Sequence, residues 1–173
     1  MPTFSDPIRG ILEARHYAIL ATHNEDRSIH LTPVWYLFEN ERFYVESHSS
    51  TRKARNVAAR PSATIMVDVR QPGCESWVYA SGRVETLRGD DSQKINSRIL
   101  RRYLTHEAIE DSRIGPAFAA ADDITICLIP ETWRSWSSKD VDEQFFGGIL
   151  TGTPEKWWTH PYTRAPLLIY GLG

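Results

Sequence analysis

Ser49-Ser50-Thr51-Arg52-Lys53-Ala54-Arg55-Asn56 brings hydroxyls, three cations and the start of a helix into one short run. Amides at a helix N-terminus point outward and the helix dipole favours negative charge there. Hydroxyls and cations at the same place therefore make a clamp for a phosphate. The same residues serve equally as a solvated helix with a hydroxyl cap, and spacing alone does not choose between the two.

No competing chemistry stands out. The chain has no GxGxxG, GxxxxGK[ST], HExxH or GxSxG run, which weighs against nucleotide-binding and zinc-hydrolase readings. His23, His30, His48, His106 and His160 are scattered without ligand spacing, so no metal is expected. Cys74 and Cys127 lack CxxC spacing and receive no role. No secretory h-region and no bilayer-length apolar run is visible, which fits a reducing cytoplasm and no membrane. Twenty basic against 22 acidic residues, a net charge of −2, give no global field for nucleic acid. Any anion site must be local.

The clamp needs a scaffold, and 173 residues without a break in composition suit one domain. Ser5 or Asp6 followed by Pro7, with Ile8, Ile11 and Leu12 on one face, opens with a short helix. Strand character follows over Tyr17–Thr22 and Ile29–Phe38, joined by the polar turn Asn24–Ser28, and then over Arg42–His48 after Glu39-Asn40-Glu41. Residues Thr51–Arg60 favour a helix, capped by Ser49 or Ser50 and stopped by Pro61. Ser62–Val69 and Ser76–Leu87 are further strands around the turn Gln71-Pro72-Gly73. Asp90 or Asp91 caps a helix through Leu104 that buries Ile95, Ile99, Leu100 and Tyr103, and Ile114–Ala121 adds another helix. Ile124–Ile129 is the sixth strand, with Thr132–Trp136 as its continuation or a bent last strand. This antiparallel order with small helices predicts a barrel of the mainly β with α (α+β) class, not a doubly wound parallel sheet.

The order of four runs, Ala21-Thr22-His23-Asn24, Leu31-Thr32-Pro33-Val34-Trp35-Tyr36, Ser50-Thr51-Arg52-Lys53-Ala54-Arg55-Asn56 and Arg60-Pro61-Ser62-Ala63, resembles the pyridoxamine 5'-phosphate oxidase-like split-barrel superfamily. The strand Val78-Tyr79-Ala80-Ser81-Gly82-Arg83-Val84-Glu85 extends the likeness, which runs from about Ile8 to Trp136. The resemblance implies a six-stranded antiparallel split β-barrel with small peripheral helices over residues 1–138. It further implies a homodimer with cofactor sites at the subunit interface.

In that reading the cofactor is FMN, or alternatively the deazaflavin coenzyme F-420, of which the Thr-Pro-Val-Trp run and Lys-x-Arg-Asn are reminiscent. Its phosphate would be held by Ser49, Ser50, Thr51, Arg52 and Lys53, with Arg55. Its ring would lie along Thr32, Pro33, Val34 and Trp35. Pro33 has no N–H, so the amides of Val34 or its neighbours are the donors for the ring edge. Trp35 and Tyr36 point to opposite faces of a strand, and at least one should be core.

The expected activity is hydride or electron transfer to a small organic substrate, with no catalytic side chain identified. The chain departs from the pyridoxamine 5'-phosphate oxidases proper in lacking their paired C-terminal arginine motif, which weighs against vitamin B6 oxidation. Residues 139–173, with Trp157, Trp158, Tyr162 and Tyr170, read as an aromatic-rich extension packing on the same domain. Two alternatives stand beside the enzyme: a non-catalytic flavin-binding or storage protein, and a cofactor-free interaction barrel.

Overall fold

A computed structural model describes residues 6–70, 75–121 and 123–150. The Ser5 cap, the turn at Gln71-Pro72-Gly73, Cys74 and the aromatic residues Trp157, Trp158, Tyr162 and Tyr170 lie outside the described residues.

Helix α1 (Asp6–Glu13) leads into strands β1 (Ala18–His23) and β2 (Ile29–Val34). Their turn closes with the Asn24 amide on the Ser28 carbonyl (2.9 Å) and the Arg27 amide on the Asn24 carbonyl (3.0 Å), with Arg27 at a φ of 68°. Strand β3 (Leu37–Glu39) returns as β4 (Arg42–Ser47) through Asn40 and Glu41, both at positive φ, the geometry of a tight hairpin turn. Helix α2 (Arg52–Ala59) and the long antiparallel pair β5 (Ser62–Val69) and β6 (Ser76–Arg88) follow. Helices α3 (Gly89–Tyr103), α4 (His106–Glu110) and α5 (Gly115–Ala121) precede β7 (Ile124–Ser137). Helix α6 (Ser138–Val141) and a π-helical turn (Asp142–Phe146) are the last elements among the described residues.

One antiparallel sheet has the order β2-β1-β5-β6-β7-β4-β3. Its two edge strands follow each other in sequence, separated only by Trp35 and Tyr36, and no ladder joins them. That gap is the split of the barrel, and it makes seven strands among the described residues where the sequence pattern suggested six. The run Ile29–Phe38 is strand-prone throughout, but the Tyr36 amide donates to the Tyr103 hydroxyl (3.3 Å) instead of to a neighbouring strand. The continuation expected at Thr132–Trp136 is the second half of β7, which pairs with β6 through a register shift at Ser81/Gly82.

Alternation along the strands fills the interior. Ala18 and Leu20 of β1, Ile65 and Val67 of β5, Val78 and Ala80 of β6, and Phe43 and Val45 of β4 point inward, against Ile124, Ile126 and Leu128 of β7. Leu12 of α1 and Ala54 and Val57 of α2 join the same core. Helix α3 buries Ile99 and Leu100 as its periodicity predicts, and also Ser92 and Asn96. Those two polar groups are satisfied within the fold: the Thr125 hydroxyl lies 2.9 Å from that of Ser92 and donates to the Asn96 side-chain oxygen (2.6 Å), and the Asn96 amide group donates to the Ile124 carbonyl (3.1 Å). Helix α4, between the two helices expected there, starts at a Thr105 cap. Among the described residues no helix is long and apolar enough to cross a membrane.

Candidate functional site

Strand β4 ends at the buried Ser47, and the next residues wind into α2. Thr51, not Ser49 or Ser50, is the cap: its hydroxyl donates to the His48 carbonyl (2.9 Å) and accepts from the Ala54 amide (3.3 Å). Ser50 is tied to His48, whose Nδ1 accepts from the Ser50 amide (3.1 Å) and lies 2.7 Å from its hydroxyl. Both donors of Ser49 go to one carboxylate, with the amide 2.6 Å and the hydroxyl 2.7 Å from the two oxygens of Asp123. Those hydrogen bonds, helped by His48, hold the Asp123 carboxyl below the usual carboxylate range.

The three cations diverge. Arg55 folds back, donating to the Ser50 carbonyl (2.9 Å). Arg52 is exposed, on the side of Asp26. Lys53 is half-buried and lines a cavity of about 350 Å³ together with Pro33, Val34, Trp35, Tyr17 and Phe118. Part of the phosphate run and part of the ring run thus meet at one space. Thr32 does not line it, and its hydroxyl lies 2.6 Å from His30 Nε2.

Register determines which backbone donors face that space. The bond closing Asn24 to Ser28 begins an alternation of hydrogen-bonded and open pairs along β1 and β2. Ile19↔Pro33 falls on an open pair, where the missing N–H of proline costs the ladder nothing. Ala18↔Val34 falls on a bonded pair, so the Val34 amide is consumed by β1. The next amide, that of Trp35, lies past the end of β2 and outside the ladder with β1.

An aromatic layer walls the cavity. The Trp35 ring stacks on Tyr103 (centroids 5.1 Å apart, 4° between planes) and on Phe118 (5.8 Å, 18°), and Tyr103 stacks on Tyr17 (6.0 Å). Tyr103 is fixed by donating to the His16 carbonyl (2.7 Å), and burial raises its phenol above the ordinary value. Tyr36, on the opposite face from Trp35, is fully buried and donates to the Leu12 carbonyl (3.0 Å), and burial raises its phenol too. The Arg102 guanidinium lies over the Tyr36 and Tyr103 rings at 5.6 and 5.9 Å and donates to the Glu13 carbonyl (2.6 Å). The rings of Tyr17, Trp35 and Phe118 fit a planar heteroaromatic group, with Lys53 favouring an anionic tail and the Glu46 carboxylate in the same lining opposing one.

Asn56 is a different case: its buried side-chain amide donates to the Thr22 hydroxyl and the Asn24 side-chain oxygen, both at 3.0 Å. That pair of bonds locks α2 onto the end of β1. Gly82 is equally structural, since a Cβ there would stand 2.0 Å from the Ile129 carbonyl oxygen across the β-bulge. The residues that sequence reasoning missed are Tyr17, Phe118, Tyr103 and Asp123. Their only signals were the apolar Gly115–Ala121 helix for Phe118 and the α3 stripe for Tyr103.

The sequence model of pyridoxamine 5'-phosphate oxidase matches residues 4–137. The chain belongs to this family. No curated protein matches the sequence. Solved structures with the family's fold include an F420 reductase, 21% identical, with 76% of this chain and 98% of that one covered and a TM-score of 0.61. An FAD-binding protein of Mesorhizobium loti is 19% identical, covers 78% and 95%, and has a TM-score of 0.56. The heme storage protein HutZ of Vibrio cholerae is 16% identical, covers 76% and 93%, and has a TM-score of 0.57. The pyridoxamine 5'-phosphate oxidase fold is therefore common to these proteins and to this chain, with the split between β2 and β3 beside the cavity.

Proposed function

We propose that the protein is a cytoplasmic oxidoreductase that transfers a hydride or electrons between a bound FMN, or alternatively deazaflavin F-420, and a small organic substrate, and that it acts as a homodimer. The observation that carries this reading is the meeting of Pro33, Val34 and Trp35 with Lys53 at one aromatic-walled cavity. Either cofactor, when bound, supplies the redox chemistry of its own ring. The chain's part is to orient and shield that ring. The Trp35 amide serves as donor to the ring edge, Tyr17 and Phe118 exclude water, and Lys53 with the start of α2 neutralises the phosphate. The names of two structural neighbours, an F420 reductase and an FAD-binding protein, favour a ring of this kind.

The homodimer is supported by the outer face of β2-β1-β5-β6. Ile29 and Leu31 are 53% and 63% exposed on the edge strand, beside Pro33. Ile19, Met66 and Tyr79 continue the band in register. An apolar band of this kind is what a second copy covers. Pro33 belongs to both the band and the cavity, so a partner on that face would flank the ring.

Storage without turnover is the second reading, favoured by the heme storage protein with the same fold. The visible spectrum of the purified protein, titrated with FMN and with deazaflavin and followed by a reduction assay, separates the possibilities. Binding with turnover is expected. Binding without turnover selects storage, and no spectral change with either cofactor overturns the proposal in favour of an interaction barrel. Light scattering at micromolar concentration tests the dimer, which a monomer mass would rule out.

A further inference from the structure

Helix α3 turns two adjacent rows of side chains toward α4 and α5. Asn96, Leu100 and Leu104 form one row at four-residue spacing, and Gln93, Ser97 and Arg101 form the other. Both rows line a cavity of about 370 Å³, separate from the one that holds Lys53. The far wall is Ile109 of α4 with Gly115 and Phe118 of α5.

This wall depends on one residue. A Cβ at Gly115 would stand 1.8 Å from the Ile109 carbonyl oxygen, so glycine is what allows α5 to approach α4 and enclose the space. Phe118 lines both cavities and is held between them by its stack on Trp35. The interior is apolar at Leu100, Leu104, Ile109 and Phe118. The Asn96 side chain is engaged inside the fold by Thr125 and Ile124. Gln93, Ser97 and Arg101 remain to face a ligand, and Arg101 is the one charged side chain in the lining. A volume of this size, apolar with a few polar groups on one side, suits a small molecule.

We propose that the cavity between α3, α4 and α5 binds a small, largely apolar compound with a single anionic group, an aryl or short-chain carboxylate or sulfonate. Its apolar part lies against Leu100, Leu104 and Phe118, and its anion lies at Arg101. Resting on the cofactor reading above, this is where the substrate's apolar end is recognised, one aromatic ring away from the redox site.

The test uses the full chain with no cofactor added, so that the outcome is independent of the cofactor proposal. Anilinonaphthalene sulfonate and its uncharged relative phenylnaphthylamine are titrated by fluorescence. Arg101→Glu, at an exposed position, is expected to weaken the sulfonate about tenfold or more, the scale of a lost charged hydrogen bond, while the uncharged probe keeps its affinity. Ser97→Trp fills the cavity and Gln93→Trp covers its exposed side, and loss of both probes in either folded variant supports the proposal. The Arg101→Glu effect should persist in a Lys53→Ala background, in which any sulfonate held at the other cavity is weakened. Wild-type affinity for both probes in Arg101→Glu and in Gln93→Trp would place them elsewhere, on the outer apolar band for example, and overturn the proposal.

Discussion

The long wall of β5, β6 and β7 and the gap between β2 and β3 solve the same problem in opposite ways. On the wall, backbone groups are satisfied by ladders: β6 and β7 pair from Ser76↔Ser137 to Arg88↔Ile124 with one irregularity. At the gap, side chains from distant helices do that work. Tyr103 bonds the backbone at Tyr36 and His16, Arg102 bonds the carbonyls at Glu13 and Ala14, and the Tyr36 hydroxyl bonds Leu12. Side-chain bracing leaves room between the rings it brings together, and the candidate cavity lies at that side. The open space along the wall, about 500 Å³ beside Ala63, Ser81, Gly82 and Thr132, has no Phe, Tyr, Trp or Lys in its lining.

Truncation at the brace tests that contrast most strongly. Tyr36 is fully buried, packs against Phe43 with the rings tilted and ties α1 to the gap, so Tyr36→Ala should cost roughly 4 kcal/mol, the range for large buried aromatics. Denaturant unfolding measures the loss. A cost below about 1 kcal/mol, no more than an ordinary surface change, would mean that the gap needs no brace.

On the wall, the sensitive residue is the one that interrupts the ladder. Gly82→Ala places a methyl against the Ile129 carbonyl and should cost roughly 3 kcal/mol, the upper part of the usual range for overpacking. The same denaturant experiment reads it. The cavity at Lys53, which Gly82 does not line, should keep whatever cofactor affinity it has. If Gly82→Ala lowered affinity in the folded protein, the wall and the gap would not be independent.

These two positions also show what the sequence could and could not disclose. Local cues were enough for the strands of the wall, the turn at Asn24–Ser28 and the helix ended by Pro61. The motif pieces Thr22, Asn24 and Asn56 are explained by one buried hydrogen-bonded contact, which spacing does not reveal. The break after Val34 was illegible because Trp35-Tyr36-Leu37 has high strand propensity, and what overrides it is a hydroxyl 67 positions later. Asp123 was missed for the same reason, since it meets Ser49 across 74 positions. Long-range polar contacts leave no local period to read.

Within the gap, Lys53 distinguishes a phosphate clamp from a solvated helix. Lys53→Ala should weaken FMN or deazaflavin binding by roughly 2 kcal/mol, within the range for hydrogen bonds to charged groups. Arg55→Ala is the internal control, because that guanidinium is directed to the Ser50 carbonyl and should affect affinity less. Equal effects of the two, read by titration, would restore the undivided cation cluster that the sequence suggested.

The smallest effect is expected at Asp123, and its sign carries the information. Its carboxylate holds both donors of Ser49, so a phosphate approaching that loop meets an anion already in place. Asp123→Asn removes the charge while keeping an oxygen that can accept. It should strengthen binding of a phosphate-bearing cofactor by roughly two- to fivefold at pH 7, the scale of exposed charge interactions. The hydrogen bonds from Ser49 depress the Asp123 pKa, so the carboxylate keeps its charge as pH falls from 8 to about 5, and for FMN, whose phosphate loses its second charge near pH ~6, the ratio of variant to wild-type affinity should shrink toward one over that range. Linkage has the matching sign: the contribution of this carboxylate to folding is present above its unfolded pKa and is lost as pH falls through the lower folded value. Fluorescence titration at several pH values reads the ratio. Weaker binding in Asp123→Asn would mean that the carboxylate orders the Ser49 loop for the ligand, and the competition argued here would be wrong.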